Sequence, residues 1–255
     1  MTCCMLKARL IGVVTVKDGM AVQSFGFNRY LPLGDPICLV ENLDRWGADE
    51  IYIQVIDRSE KDLGPDYALI KKISDLPIAT PLIYGGGVRS VDEGIQVIKL
   101  GADRLALNSM LIDSLGDVKL LSERLGVQAI VGVLPVRVQK NNLEYYDYRQ
   151  RRLHLGWLKT TAEALEMCLS EVMLVDYLNE GYPGKFDCAI LQKADLLKIP
   201  LLPFGGLSEP WQIQGVLSIP CVAGFGIGNF LNYKENAVEF YKETVESPRV
   251  RSHFS

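Results

Sequence analysis

The sequence predicts one α/β domain over residues 1–255, folded as a (βα)8 TIM barrel that is built from two half-barrel repeats, approximately 1–125 and 126–247. Three observations predict this fold. Apolar runs alternate with helical patterns from end to end, as in parallel βα units. Glycine-rich strand ends recur in the second half of the chain. The length of 255 residues is usual for a single barrel of this type.

The repeat is visible in pairs of segments that lie about 120 residues apart, a separation that fits a half-barrel. Residues 84–88 (Tyr-Gly-Gly-Gly-Val) correspond to 204–207 (Phe-Gly-Gly-Leu), and 48–53 correspond to 169–174. Each unit is an apolar strand that runs into a glycine or small polar turn. Because barrels of this class place their sites at the carboxyl ends of the strands, we expect the functional site there. The doubled glycine turns predict a ligand with two phosphates.

Eight apolar segments are expected to form the barrel strands, near residues 8–16, 50–56, 79–84, 104–108, 128–134, 171–176, 200–204 and 221–225. Helices are expected between them, near 35–46, 90–99, 114–125, 157–168, 187–197, 208–216 and 232–245.

Local signals support several of these elements. Asp35 is followed by a proline in the first turn of its helix, and Ser90 with Glu93 three residues later forms a capping box. Alternation over 143–148 predicts a short extra hairpin in the loop after the fifth strand. The tail after Ser247 is expected to be frayed.

Composition excludes several classes of function. The net charge of −4 argues against nucleic acid as the main partner, and the 48% hydrophobic content supports a large core. No run reaches the ~20 apolar residues of a membrane span, and a signal peptide is not expected. The six cysteines form no CxxC pair and only two histidines accompany them. We therefore expect reduced thiols in a cytoplasmic protein, without a metal site or a cofactor.

Two glycine turns at matched positions could approach an anion closely. Gly85–Gly87 follow a strand and precede the helix that Ser90 caps, and Gly205–Gly206 precede the next repeat's helix in the same way. Neighbouring strand ends, the third with the fourth and the seventh with the eighth, are therefore expected to hold one phosphate each. The alternative is that each glycine run only forms a tight βα turn.

Four charged residues stand at the starts of predicted strands one, two, four and six: Arg9, Glu50, Arg104 and Glu171. One interpretation is a neutral ring of two cations and two anions across the barrel floor, which would act as a plug or gate. The alternative is that each charge is solvated, as charges next to apolar runs commonly are.

Acid–base groups at the strand ends are harder to find. Thr15 and Lys17 are the inward candidates on the first strand, and the fifth strand, which contains Pro135, has no carboxylate. Asp57 and Asp176 follow the second and sixth strands and are candidates for proton transfer. The alternative is that each caps a helix or pairs with a neighbouring basic residue.

A set of short motifs spread over nearly the whole chain is specific to one family and its isomerase relative. The motifs are Val16-Lys17-Asp18-Gly19, Gly34-Asp35-Pro36, Gly47-Ala48-Asp49-Glu50, Gly85-Gly86-Gly87-Val88-Arg89-Ser90, Gly101-Ala102-Asp103-Arg104, Leu107-Asn108-Ser109, Gly205-Gly206 and Phe230. In them the chain resembles the cyclase subunit (HisF) of imidazole glycerol phosphate synthase, which works with a glutaminase in histidine biosynthesis and belongs to the HisA/HisF family.

The resemblance implies roles for particular positions. It implies phosphate sites at Gly87, Asn108 and Ser109 on one side of the barrel and at Gly181, Gly206 and Gly226 on the other. It implies that Arg9, Glu50, Arg104 and Glu171 form a charged gate through which ammonia from the glutaminase enters the barrel. It also implies that Asp103, beside the gate, contacts that partner subunit.

The chain departs from the family where the chemistry would occur. The family's two catalytic aspartates fall on Thr15 and Pro135, and its Asp-Gly pair after the sixth strand is Glu180-Gly181. General acid–base groups typically contribute 10²–10⁴-fold each, so their loss should nearly abolish cyclisation unless another carboxylate substitutes.

Three functions stay open at this stage. The pattern looks like that of specialised paralogues that accompany a glutaminase in surface-sugar biosynthesis, where ammonia goes to a separate amidotransferase acting on a nucleotide-linked sugar. The second function is a working histidine-pathway cyclase that uses Asp57 and Asp176. The third is a non-catalytic barrel that binds a phosphorylated ligand and regulates its partner.

Overall fold

The computed structural model describes residues 7–245 and 247–251. Cys3 and Cys4, two of the predicted reduced thiols, lie outside the described residues. The described cysteines, Cys38, Cys168, Cys188 and Cys221, are free thiols.

Parallel strands and helices alternate along the chain, with two additional hairpins. In chain order the strands are β1 (Arg9–Lys17), β2 (Met20–Phe25), β3 (Arg29–Gly34), β4 (Glu50–Val55), β5 (Leu82–Gly85), β6 (Arg104–Leu107), β7 (Ile130–Gln139), β8 (Asn142–Asp147), β9 (Arg152–His154), β10 (Glu171–Asp176), β11 (Leu201–Phe204) and β12 (Gly224–Ile227).

Helices connect the strands and cover the outside of the sheet. They are α1 (Pro36–Arg45), α2 (Tyr67–Ser74), α3 (Val91–Lys99), α4 (Ser109–Asp113), α5 (Leu115–Leu125), α6 (Trp157–Cys168), α7 (Ala189–Lys193), α8 (Pro210–Leu217) and α9 (Ala237–Thr244). Single 3₁₀ turns occur at Val127–Ala129, Ala194–Leu196 and Asn229–Asn232.

The parallel strands close into a barrel. Their order is β1-β4-β5-β6-β7-β10-β11, and β12 pairs in parallel with β1. The remaining seam closes where Leu201 forms a bridge with Val222 and accepts a hydrogen bond from the Ala223 N–H at 3.0 Å. The predicted (βα)8 barrel is confirmed.

The core has two parts because side chains alternate across each strand. Outward-facing apolar residues pack under the helices in one large cluster. Inward-facing residues form a separate cluster, each at most 6% exposed, inside the barrel. The inner cluster consists of Ile11, Val13, Tyr52, Ile83, Ala106, Val131, Val133, Met173, Val175, Leu202 and Phe204.

Several predicted elements begin at residues whose side chains form hydrogen bonds that fix the start of the element. The Glu93 N–H donates to Ser90 Oγ at 3.3 Å, so Ser90 is the N-cap of α3 as predicted. The Asp35 carboxylate caps α1 through the Ile37 N–H at 2.9 Å. The alternating segment after the fifth barrel strand forms the antiparallel β7–β8–β9 hairpin.

Other predictions were incomplete or wrong. The β2–β3 hairpin and α2 were not predicted. The last barrel strand begins at Gly224 instead of near 221, and before it the Cys221 carbonyl and the Ala223 N–H are hydrogen-bonded to the backbone of Leu201. The expected fraying after Ser247 is wrong for the described part of the tail. There the buried Arg249 guanidinium donates to the carbonyls of Leu217 at 2.7 Å and Ile219 at 3.1 Å.

Candidate functional site

A cavity of about 360 Å³ opens at the carboxyl ends of β4, β5, β6 and β7. The turn between β2 and β3 and the β8–β9 hairpin complete its walls. Its lining contains Gly87, Asn108 and Ser109, which were predicted to hold one phosphate, and Pro135. The charged residues among the lining are Arg151 and Glu60.

Glycine is required in the turn after β5 because the backbone has no room for a side chain. Gly86 has φ +135°, and a Cβ there would lie 2.3 Å from the Val55 carbonyl oxygen. Gly87 has φ +75°, and its N–H donates to Ser59 Oγ at 3.3 Å. The turn after β11 is built alike: Gly205 has φ +102°, and a Cβ would lie 2.6 Å from the Asp176 carbonyl.

Asn108 and Ser109 follow β6 at the same edge of the sheet. Asn108 Nδ2 donates to the Val133 carbonyl at 2.6 Å and lies 3.2 Å from the Tyr145 hydroxyl. Ser109 is buried at the start of α4. These contacts fix the strand end beside the Gly85–Gly87 turn.

The second predicted phosphate set lies elsewhere. Gly181, Gly206 and Gly226 are absent from the lining of the 360 Å³ cavity. A Cβ on Gly181 would lie 2.1 Å from the Ser24 carbonyl oxygen. Gly206 packs against the backbone of 179 and 185–186, and Gly226 packs against the Phe204 ring. Protein atoms therefore lie directly against all three glycines.

Glu180 ties the β2–β3 turn down over this second side. Glu180 Oε2 accepts hydrogen bonds from Ser24 Oγ at 2.9 Å and from the Phe27 N–H at 3.3 Å, and its carbonyl accepts from the Gly26 N–H at 2.8 Å. The Phe27 side chain packs against the inner cluster of the barrel. Burial raises the pKa of Glu180, although the hydrogen bond from Ser24 opposes this.

Thr15 and Pro135, which stand where the family has its two aspartates, have different surroundings. Pro135 lines the cavity and pairs with Val175 of β10. Thr15 is 5% exposed, pairs with Gln54 of β4 and borders a void of about 10 Å³ on the side of Gly228. Neither side chain has an acid–base group.

Asp57 and Asp176 do not line the cavity. Asp57 Oδ2 accepts hydrogen bonds from the Lys61 ammonium at 2.8 Å and from the Asp18 N–H at 3.3 Å. Asp176 is 1% exposed, and its Oδ2 accepts from Asn179 Nδ2 at 2.8 Å and the Asp187 N–H at 2.9 Å. Burial raises the pKa of Asp176. Both carboxylates hold loops in place instead of facing the cavity.

The four predicted floor charges meet in one closed ring. Arg9 pairs with Glu50 at 3.2 Å and with Glu171, while Arg104 pairs with Glu50 at 3.1 Å and with Glu171 at 2.6 Å. Their side chains are only 8–16% exposed. Burial lowers the pKa of Arg9, but Glu50 and Glu171 outweigh it, so that pKa lies above its usual value.

An open depression of about 570 Å³ lies beneath this ring. Asp103, the predicted partner contact, lines it together with Ile98 and Leu125. One carboxylate oxygen of Asp103 accepts a hydrogen bond from the Leu82 N–H at 2.7 Å.

On two strands, successive inward-facing residues belong to the ring and to the lining of the upper cavity. On β4, Glu50 lies in the ring and Tyr52 lines the cavity; on β6, Arg104 lies in the ring and Ala106 lines the cavity. Two residues of a strand span roughly 7 Å, so the two sites are close along these strands.

An aromatic wall, which no sequence motif predicts, lines part of the cavity. Tyr146 and Tyr177 stack with ring centroids 4.3 Å apart and an interplanar angle of 9°. Tyr52, Tyr148 and Tyr30 also line the cavity. These tyrosines come from four separate segments, and no single motif marks them as neighbours.

Neither a membrane-spanning helix nor a group of metal ligands is found within residues 7–245 and 247–251. No helix there is long and apolar enough to cross a bilayer. Within the same ranges no group of three or more histidine, cysteine, aspartate or glutamate side chains is arranged to hold a metal ion.

Comparison with known proteins places these features in a family. Residues 9–237 match the family described as "Histidine biosynthesis protein". The chain is 27% identical over 250 residues to the "Putative imidazole glycerol phosphate synthase subunit hisF2" of Vibrio vulnificus, which covers 98% of this chain and 85% of that protein. It is 25% identical over 255 residues to the "Imidazole glycerol phosphate synthase subunit HisF" of Exiguobacterium sp., covering 98% of both chains. The chain therefore belongs to the histidine biosynthesis protein family, as a barrel similar to the cyclase subunit of imidazole glycerol phosphate synthase.

Proposed function

We propose that this barrel binds a phosphorylated ligand, receives ammonia from a glutaminase subunit docked beneath its floor, and no longer cyclises the family's substrate. It is a specialised paralogue that serves amidation in sugar-nucleotide and surface-polysaccharide biosynthesis. The ammonia passes on to a separate amidotransferase. Two relatives in Vibrio vulnificus whose names end in "subunit hisF2" and "subunit hisF3" support this proposal.

One observation carries the loss of cyclisation. The cavity keeps a glycine turn, an asparagine and a serine for a phosphate, yet Pro135 and Thr15 stand where the family has its acid–base pair. Asp57 and Asp176 are bonded outside the cavity and are therefore poor replacements. Proton transfer by positioned groups typically contributes 10²–10⁴-fold per group. Loss of both should lower turnover by roughly 10⁴-fold or more.

The charged floor supports the ammonia route. A closed ring of two guanidinium groups and two carboxylates has no net charge, and ammonia has no net charge on which it could act. The depression beneath it, with Asp103 at its edge, is the surface on which we place the glutaminase.

The inner cluster supports a second candidate, a barrel that only regulates its partner. Tyr52, Met173 and Phe204 are bulky, at most 3% exposed, and belong to the cluster that fills the inside of the barrel. Passage of ammonia would need these side chains to move. If they do not move, ammonia does not cross the barrel. Ligand binding in the cavity then acts on the glutaminase only through the protein between the two sites.

The test uses the purified barrel with ammonium salts and the phosphoribulosyl-formimino aminoimidazole carboxamide ribonucleotide. We expect turnover at least about 10⁴-fold below that of an authentic cyclase subunit assayed in parallel. Comparable turnover would refute the proposed function and favour the working cyclase.

The complex with the glutaminase and the downstream amidotransferase, supplied with the sugar-nucleotide acceptor, distinguishes transfer from regulation. Glu171→Lys places three cations and one anion in the ring. If ammonia passes through it, glutamine-dependent product formation falls while ammonium-dependent formation is kept. If the barrel only regulates, both rates stay as in the wild type.

A further inference from the structure

The cluster that fills the inside of the barrel contains a single hydroxyl group among its described members. That hydroxyl belongs to Tyr52, and every other buried member carries a hydrocarbon or thioether side chain. A polar molecule that enters such an interior gives up its hydrogen bonds to water, which is costly unless a partner replaces them. Ammonia has both N–H donors and a lone pair, so Tyr52 is the member of this cluster that can bind it by a strong hydrogen bond.

Tyr52 stands on β4 between the charged ring and the open cavity. Glu50, two residues earlier on the same strand, belongs to the ring, and Tyr52 itself lines the cavity. Two residues of a strand span roughly 7 Å. Along this strand the phenol therefore occupies the step by which a molecule that leaves the ring reaches the cavity.

Small residues on the two neighbouring strands make room for the phenol. A Cβ added to Gly85 of β5 would lie 2.8 Å from the Tyr52 hydroxyl oxygen and 3.0 Å from the Cβ of Ala106 on β6. The phenol therefore reaches from β4 across β5, and its hydroxyl packs against the Gly85 backbone. A larger side chain at Gly85 would displace the hydroxyl, so its position depends on this complementary pair.

The hydroxyl is available to a small molecule in the cavity. It forms no hydrogen bond with any described residue, yet it keeps accessible surface, unlike the sealed Oε1 atom of Gln54. Burial raises the pKa of Tyr52, and the nearby Tyr148 and Tyr84 add to this effect. The phenol is therefore neutral near neutral pH and keeps the proton that it can donate.

We propose that the Tyr52 hydroxyl is the hydrogen-bonding position through which ammonia passes from the ring into the cavity, with the phenol O–H donating to the nitrogen lone pair. The inference rests on the proposed ammonia route and names the side chain that ammonia meets inside the barrel. No covalent bond is made or broken at Tyr52. The aromatic ring of the same residue fills the space beside the hydroxyl and keeps larger solutes in the cavity.

The test follows nitrogen from two sources in one reaction. The complex of the barrel with its glutaminase and the downstream amidotransferase receives the sugar-nucleotide acceptor, unlabelled ammonium, and glutamine with a heavy nitrogen isotope at its amide. Mass spectrometry of the product gives the ratio of glutamine-derived to ammonium-derived nitrogen. This ratio compares passage through the barrel with supply from solution, and a change in the amidotransferase step alone does not alter it.

Tyr52→Phe removes only the hydroxyl and keeps the ring. An unsatisfied polar group in a buried position corresponds to roughly 5- to 100-fold in a rate or an equilibrium constant. We therefore expect the nitrogen ratio to fall about fivefold or more. The rate with ammonium alone should stay at the wild-type value.

Tyr84→Phe is the matched control. Tyr84 is fully buried in the outer cluster, beside Gly85, and its hydroxyl accepts a hydrogen bond from the Asp66 N–H at 2.7 Å. Loss of that hydroxyl should lower the melting temperature and leave the nitrogen ratio unchanged. Thermal melting of Tyr52→Phe shows whether this variant is folded.

The outcomes separate the inference from the proposed function. A wild-type ratio in Tyr52→Phe overturns the inference while the ammonia route stands. Equal losses of glutamine-derived and ammonium-derived product also overturn it, because Tyr52 then supports the cavity and not the passage. If the wild-type complex places no glutamine-derived nitrogen in the product, the proposed function fails and the inference fails with it.

Discussion

Ser24 and Glu180 are hydrogen-bonded across the mouth of the barrel, with Ser24 Oγ donating to Glu180 Oε2 over 2.9 Å. Ser24 lies in β2 and Glu180 in the loop after β10, so the bond joins the two halves of the chain at its functional end. It fixes the β2–β3 turn, whose Phe27 closes one side of the barrel.

The first prediction concerns the pH dependence that Glu180 imposes on stability. Burial raises the pKa of its carboxyl in the folded state. The folded state therefore binds more protons than the unfolded state, and stability falls as pH rises from the unfolded pKa through the folded one. Glu180→Gln removes this fall. We expect its urea-unfolding free energy to decline less than that of the wild type between roughly pH 4 and 7.

Glu41→Gln, on the exposed side of α1, is the matched control and should keep the wild-type profile. If Glu180→Gln also keeps that profile, the carboxyl is not coupled to folding.

The second prediction concerns the ring on the barrel floor. Glu171→Ala leaves Arg9 and Arg104 with one shared carboxylate, Glu50, in a region that is 8–16% exposed. Removing one partner from a fully buried pair costs about 3–5 kcal/mol, and the residual exposure lowers our expectation to about 2–3 kcal/mol. Denaturant unfolding measures the loss.

Glu123→Ala, at an exposed position of α5, should change the unfolding free energy by less than about 0.5 kcal/mol. In the Glu171→Ala background, Arg104→Ala should cost less than it does alone, because the two residues interact directly. Additive losses would show that the ring contributes no coupling energy.

The third prediction concerns the paired glycine turns. Gly86→Ala and Gly205→Ala each place a Cβ within 2.6 Å of a carbonyl oxygen on a backbone with positive φ. Each should cost more than about 3 kcal/mol or prevent folding. Gly215→Ala is the control, since nothing lies within 4 Å of its Cβ position in α8, and it should stabilise by up to about 1 kcal/mol. Thermal melts of the three variants test this, and tolerance at either turn equal to that at Gly215 would contradict it.

The fourth prediction separates structural from catalytic aspartates. In Asp176→Asn, the amide cannot accept from both the Asn179 N–H and the donors at Oδ2, so one buried donor loses its acceptor. The expected loss of stability is about 1–3 kcal/mol. Phosphate binding, measured by calorimetry, should be unchanged because Asp176 lies outside the cavity. Weaker phosphate binding in a fully folded Asp176→Asn protein would show that Asp176 takes part in the site after all.

The elements that the sequence predicts best are those with a local chemical signal. Glu50 and Glu171 are the first residues of β4 and β10, and each stands immediately before the apolar run of its strand. Ser90 marks the start of α3 because its hydroxyl caps the helix. The β2–β3 hairpin was missed although Asp18-Gly19, both with positive φ, form the two-residue turn that joins β1 to β2.

The residues of the candidate site also differ in whether a local sequence motif marks them. Gly87, Asn108 and Ser109 belong to short motifs and were predicted together, and the structure places them in one cavity. The closure of the other side depends on Ser24 and Glu180, which are 156 residues apart in sequence. Glu180 departs from the family's motif, but its partner Ser24 cannot be predicted from sequence because the contact exists only after the barrel closes.

The floor ring also has a consequence for how the chain could be divided. Three of its members, Arg9, Glu50 and Arg104, precede Gly126, and only Glu171 follows it. A chain severed near Gly126 would yield an amino-terminal fragment whose three ring residues sum to +1 and a carboxy-terminal fragment whose one ring residue carries −1. The ring charges balance only when one copy of each fragment is present, so the ring favours reassociation of the two different pieces.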